Sequence, residues 1–184
     1  MKKAFIAGMV LALFSGCSTK NQPKPQICQI DNVKAPSWIC SPNDTKEYIV
    51  AIGSAPKNAA GDFQFQKEEA MAAARDALAR RISVKVKNMF KQFKAATGAG
   101  NNQTFEKATE SVSKQLSYQV LNDSKQLDIW ISPKGTMFVL VGVPKKEVKQ
   151  QIKTSLKSNE ALYQKFLSQK AQKELNEEIE NEFK

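Results

Sequence analysis

The sequence predicts an α+β fold: a small three-stranded antiparallel sheet packed on one long helix, with a second helix and a C-terminal helical extension. Three observations predict it. Residues 65–96 carry one apolar stripe (Met71, Ala74, Leu78, Ile82, Val86, Met89 and Phe93) at spacings of three, four and seven, which is helical periodicity. Residues 124–143 hold two β-prone runs around Ser132-Pro133-Lys134-Gly135, a turn signal, which together read as a hairpin. Tyr48 to Gly53 is a short apolar run ending in glycine, a buried-strand pattern.

The chain opens on Met1-Lys2-Lys3, a basic start, followed by an apolar run from Ala4 to Phe14 and the small pair Ser15-Gly16. Basic, apolar and small regions in that order make a secretory signal peptide over residues 1–16. A helix that crosses a bilayer needs roughly 20 apolar residues, and this run is too short. Cys17 follows the small pair at once, as in bacterial lipoprotein signals, with Phe14 where leucine is usual. In that class the cysteine sulfur receives a diacylglyceryl group and the new amine is acylated. Two or more acyl chains anchor stably, so a lipidated Cys17 needs no further membrane element. Ser18 in the next position resembles sorting to the outer membrane.

Cleavage before Cys17 would leave 168 of the 184 residues, a length that suits one domain. The sequence carries 28 Lys+Arg against 18 Asp+Glu, a net charge of +10, or +8 without Lys2 and Lys3. Such a balance points to anionic surroundings: lipid headgroups, lipopolysaccharide, cell wall or an acidic partner. Nucleic acid is not an expected partner of an exported lipoprotein.

Residues 17–25 are polar with two prolines and read as a flexible tether. Cys28 and Cys40 then form an even pair in an oxidising compartment. A disulfide between them would contribute about 3 kcal/mol in the chain-entropy account. The alternatives are two buried thiols or a redox pair, and the spacing is not Cys-x-x-Cys. After the loop 56–62, Asp62 is the expected N-cap of the long helix. Glu68 and Glu69 lie in its early turns and Lys91 and Lys94 near its end, all on the side the helix dipole favours. Residues 97–102 break it. Gln103 to Val120 is a second helix, with Phe105, Ala108, Val112 and Leu116 as its stripe. Leu127, Ile129 and Ile131 alternate with Gln126, Asp128 and Trp130 in strand fashion. Met137 to Val143 is the second strand of the hairpin, and Pro144 ends it.

The tail is helical and unevenly charged. Val148, Ile152 and Leu156 start a stripe that Leu162, Phe166, Leu175, Ile179 and Phe183 continue, with Ser158-Asn159 as an interruption. Lysines crowd residues 145–157 and glutamates crowd residues 174–182. Acid at a helix C-terminus opposes the macrodipole, so the last turns are expected to fray or to find a basic partner.

No set of residues supports catalysis. The sequence has no histidine, which excludes His-based triads and His-containing zinc sites. Glu68 and Glu69 are adjacent and diverge on a helix. Ser54 lacks the flanking glycines of a nucleophile elbow, and small residues around it instead suit a strand passing close to the helix. Residues 98–100 are no phosphate cradle, since no strand precedes them. Trp38 and Trp130 read as sheet packing rather than ligand platforms. Arg75, Arg80 and Arg81 read as surface or salt-bridge residues, with Arg75 beside the small face of Ala70, Ala74 and Ala77. No catalytic residue, metal or cofactor is expected.

Pro36-Ser37-Trp38, then Ala51-Ile52-Gly53-Ser54-Ala55, then Ala70, Ala74, Arg75, Leu78 and Ala79, and finally Met137 to Val141 resemble the LPP-twenty family of membrane-associated lipoproteins. The resemblance covers roughly residues 35–149. It implies a dodecin-like domain in which a three-stranded antiparallel sheet wraps a long helix. It also implies an outer-membrane or surface lipoprotein without enzymatic activity. Some relatives are antigens, and a flagellar member assembles into large rings. The Cys28/Cys40 pair and the C-terminal helix are not part of the family core. The expected organisation is thus signal peptide 1–16, tether 17–25, α+β domain 26–149 and charged C-terminal helix 150–184. The expected role is a structural or interaction module of the cell envelope, with a homo-oligomer or an envelope protein as partner. The alternative is a binding module for an anionic envelope ligand such as lipopolysaccharide or peptidoglycan.

Overall fold

The computed structural model of the protein describes residues 27–97, 102–158 and 169–184. The signal segment, Cys17, the tether, residues 98–101 of the expected break, and Leu162 and Phe166 of the tail stripe lie outside the described residues. In chain order the elements are β1 (Gln29–Ile30), β2 (Val33–Lys34), α1 (Ser37–Cys40), β3 (Tyr48–Ala55), α2 (Phe63–Thr97), α3 (Asn102–Asp123), β4 (Lys125–Ile131), β5 (Met137–Pro144), α4 (Lys145–Lys157) and α5 (Gln169–Glu182). The fold is α+β, with a three-stranded antiparallel sheet of order β3-β5-β4 lying on α2.

β3 and β5 pair from Tyr48 opposite Pro144 to Ala55 opposite Met137. Side chains alternate along a strand, so Ile49, Ala51, Gly53 and Ala55 face α2, together with Met137, Val139, Val141 and Val143. All but Gly53 belong to the hydrophobic core. At Gly53 the strand touches the helix backbone itself. A Cβ there would lie 2.2 Å from the Ala74 nitrogen and 2.3 Å from the Ala70 oxygen. Ala70 occupies the core at this level and Met71 packs half-buried beside it, because only the smaller side chain lets the backbones meet.

The helix begins where its cap allows. Asp62 Oδ1 accepts a hydrogen bond from the Phe65 N–H at 3.0 Å, and the Asn58 side-chain amide fixes Asp62, its Nδ2 donating to the Asp62 carbonyl and its Oδ1 accepting the Asp62 N–H. At 1.5 Å per residue the 35 residues of α2 span about 52 Å. The eight residues of β3 span about 27 Å. The sheet therefore covers only the first half of α2. The second half, with Ile82, Val86, Met89, Phe90 and Phe93 buried, packs against α3 and α5.

β4 departs from simple alternation. Gln126 pairs with Val141 and Asp128 with Leu140, so Leu127 is the extra residue of a β-bulge. The bulge turns Leu127 out of line with Ile129 and Ile131 and lays its side chain over Gly142. The tail forms α4 and then α5. The position 149/150 falls inside α4, and Val148, Ile152, Leu156, Leu175, Ile179 and Phe183 share one core cluster with the sheet and α2. Ser158 ends α4, as the sequence suggests, with its N–H bonded to the Thr154 carbonyl.

Candidate functional site

The described chain starts on the outer face of the sheet. Asp31 and Asn32, both at positive φ (53° and 64°), turn β1 back onto β2. These residue types tolerate the left-handed region. Cys28 and Cys40 are joined in a disulfide with their Cα atoms 5.7 Å apart. The Asp31 carboxylate accepts the Lys134 backbone N–H at 3.1 Å, which pins the hairpin tip to the β4–β5 turn. Hydrogen bonding from Ser132, and then from Lys134, lowers the Asp31 pKa. Trp38 and Trp130 enter the same small cluster with Cys28, Ala35, Ile39 and Phe138. The Trp130 and Phe138 ring centroids are 5.9 Å apart. Both tryptophans are thus packing residues, and the Trp38 Nε1 is buried without a hydrogen-bond partner.

A second site joins three distant segments at the other end of β3. Arg81 donates to the Val50 carbonyl at 2.7 Å and the Pro42 carbonyl at 3.2 Å, and pairs with Asp44 at 3.3 Å. Asp44 also accepts the Val50 N–H. The free edge of β3 is therefore met by a side-chain cation and a loop carboxylate rather than by another strand. Lys85 reaches both Asp44 and Glu182 and lies 5.7 Å from the Phe183 ring centroid. Arg75, singled out from its small neighbours, instead donates to the Ser124 hydroxyl at 3.1 Å. Arg80 makes only an exposed contact to Asp76. Sequence reasoning missed the role of Arg81 because its partners are more than thirty residues away. Glu68, Glu69 and Ser54 are exposed.

A third feature is an open basic groove of about 680 Å³ where β3 starts, α4 starts and α5 ends. Lys46, Lys145, Lys146, Lys149, Lys153 and Lys184 line it. Lys145 is buried, and its ammonium donates to the Lys184 backbone oxygen while its N–H bonds the Glu47 carbonyl. Lys149 lies 2.6 Å from Glu180 and Lys153 3.6 Å from it. The hydrogen bond from Lys149, ahead of the charges of both lysines, lowers the Glu180 pKa. Glu180 and Glu182 near the end of α5 thus find their basic partners within the chain. Among the described residues no group of three or more acidic or cysteine side chains could hold a metal ion, and no helix is long and apolar enough to cross a membrane.

Together these elements define a small stapled α+β domain behind a lipoprotein-type N-terminal sequence. The LPP20 lipoprotein family matches residues 36–144, more than half of the chain, and the protein belongs to that family of membrane-associated lipoproteins. A comparison with curated proteins found no match. The family match runs from the residue before α1 to the last residue of β5, so β1, β2, α4 and α5 flank it on either side. Cys28 lies before the match and Cys40 inside it.

Proposed function

We propose that the protein is an outer-membrane lipoprotein held by acyl chains on Cys17, serving the cell envelope as a structural or interaction module rather than as an enzyme. The observation that carries this reading is the Cys28–Cys40 disulfide. It ties the chain that emerges from the tether covalently to the first helix of the family-matched domain. A load on the anchor would then pass into the sheet rather than peel the N-terminal hairpin away. Metabolic labelling with a fatty-acid analogue, followed by membrane fractionation, tests the reading. Wild-type protein should take up label and stay with the outer membrane, and Cys17→Ala should lose both. Label retained by Cys17→Ala would refute the anchor.

Partner contact, with a second copy or another envelope protein, belongs in this reading to the exposed side of α5. Its buried side is committed to the core and Glu180 and Glu182 are paired internally. Reversing Lys173 and Glu177, an exposed pair on that side, should change oligomer size or pull-down yield. No change in either would remove α5 as the contact.

The six lysines around the groove favour a second reading, a binder of an anionic envelope ligand. Salt-sensitive co-sedimentation with purified peptidoglycan or lipopolysaccharide, weakened in a Lys46→Glu/Lys146→Glu variant, is its expected result. Binding indifferent to salt and to the variant would rule it out.

A further inference from the structure

Four large apolar side chains stand exposed around one end of the domain. Phe63 and Phe65 in the first turn of α2 are 53% and 58% exposed, and Ile131 and Val33 are 44% and 40% exposed. Contacts between their elements put them at a common end. Gln66, in the same turn as Phe63 and Phe65, is buried and donates to the Gly135 carbonyl of the β4–β5 turn at 2.8 Å. Ile131 leads into that turn, and Lys134 within it holds Asp31, the residue that turns β1 onto β2 beside Val33. Phe63 and Phe65 are two residues apart and do not share a helix face, yet both are exposed because the helix starts at this tip. Exposed apolar groups gathered at one place mark a contact surface rather than scatter.

We propose that this end docks on the lipid bilayer, with Phe63 and Phe65 entering the headgroup boundary. The proposal rests on the Cys17 anchor. Ten residue steps separate Cys17 from Ile27, a span of at most about 35 Å when fully extended and about 17 Å on average for a flexible chain. Ile27 lies two residues before β1, and the tip of that hairpin, Asp31, is held to the β4–β5 turn, so the tether is long enough to bring a bilayer to this end. Aromatic side chains suit the membrane–water boundary. Lys57, against Gly135, and Lys134 stand beside the patch, where anionic headgroups would meet them. A second copy of the chain would have to find the patch by diffusion, whereas the anchored bilayer is already there.

The test uses full-length acylated protein reconstituted into vesicles of phosphatidylethanolamine and phosphatidylglycerol with a dibrominated phosphatidylcholine. Phe65→Trp is the probe. Val84→Trp, exposed on the same helix about 28 Å further along, is the control, and both are read as the difference from parent protein. Docking predicts that Phe65→Trp loses most of its fluorescence to the bromolipid and is shielded from aqueous acrylamide, while Val84→Trp behaves oppositely. An acrylamide-accessible Phe65→Trp that bromolipid leaves bright overturns the proposal. Shielding from both quenchers means that protein covers the patch and overturns it equally. Failure of the parent protein to sediment with the vesicles overturns the anchor itself, and docking with it.

Discussion

The two halves of α2 are buried by different means. In the first half the buried apolar positions are Ala70, Ala74 and Leu78, and the partner is a sheet. In the second they are Ile82, Val86, Met89, Phe90 and Phe93, and the partners include α3 and α5. Side-chain size sets the separation of packed elements. Alanines let β3 approach until Gly53 meets helix backbone. Packed helices lie roughly 8–10 Å apart, axis to axis, and large side chains must fill the gap. One continuous helix thus carries two packing codes, and its residue sizes say where one gives way to the other.

The comparison breaks most sharply at Gly53. Gly53→Val introduces a Cβ 2.2 Å from the Ala74 nitrogen. Backbone on both sides cannot give way as a side chain can, so the loss should exceed the roughly 1–3 kcal/mol usual for overpacking. The expected outcome is a protein without a cooperative unfolding transition in denaturant. A variant that unfolds cooperatively near the wild-type midpoint would show that β3 and α2 are not in backbone contact.

In the second half the sensitivity should reverse, from crowding to voids. Phe93 is fully buried, and Phe93→Ala is expected to lower stability by about 3–5 kcal/mol. Met89→Leu, which nearly conserves volume, should cost less than about 1.5 kcal/mol. Denaturant midpoints of the two variants check both figures. Equal losses would mean that this half tolerates no shape change and that the contrast with the sheet half is false.

The two codes were unequally legible in the sequence. The long helix, both hairpin strands and the β3 run follow from local periodicity, which one chain segment displays by itself. The glycine-to-alanine contact was half legible. Small residues around Gly53 and along Ala70, Ala74 and Ala77 point to close approach, but periodicity alone favours Met71 over Ala70 for the apolar stripe, and the structure buries Ala70. The bulge at Leu127 was not legible, because an extra residue in one strand shows only against its partner's register. Arg81 escaped for a related reason. Nothing near it in sequence distinguishes it from Arg75 or Arg80, and its worth comes from two carbonyls and a carboxylate delivered by residues 42–50. The uneven charge of the tail was legible, and its consequence is internal: α5 folds back so that its last acids meet Lys85, Lys149 and Lys153.

The disulfide separates the halves by another route. Cys28 and Cys40 are 12 residues apart and their loop covers the outer face of the sheet. Replacing both by serine should lower stability by about 3 kcal/mol. Faster hydrogen exchange should be confined to β1, β2 and the neighbouring β4 amides, with α5 unchanged. Equal acceleration in α5 would show that the staple stabilises the whole molecule and that the sheet half has no independent response.

Acid gives the smallest and most selective probe, since the two carboxylates with lowered pKa among the described residues lie one in each half. Glu180 is held down chiefly by its hydrogen bond from Lys149, below its usual 4.5. Asp31 is held down chiefly by Ser132, below its usual 3.8. A carboxylate whose folded pKa is depressed contributes stability that is present above its unfolded value and disappears as pH falls through the folded one. Glu180 is exposed and Asp31 only half-buried at the surface, so solvent screens the effect and keeps it small. Stability should therefore be flat near neutrality and decline below about pH 4.5, the unfolded value from which Glu180 departs. Glu180→Gln should flatten the upper part of that decline and leave the part due to Asp31. Asp31→Asn, which keeps a side chain suited to the positive φ of the turn, should remove the lower part. Hydrogen exchange at about pH 4 in Glu180→Gln should differ from wild type in α4 and α5 alone. Changes that spread to β1 and β2 would mean that the ion pairs of the helical half are coupled to the stapled sheet, so that α2 transmits between its two packing environments.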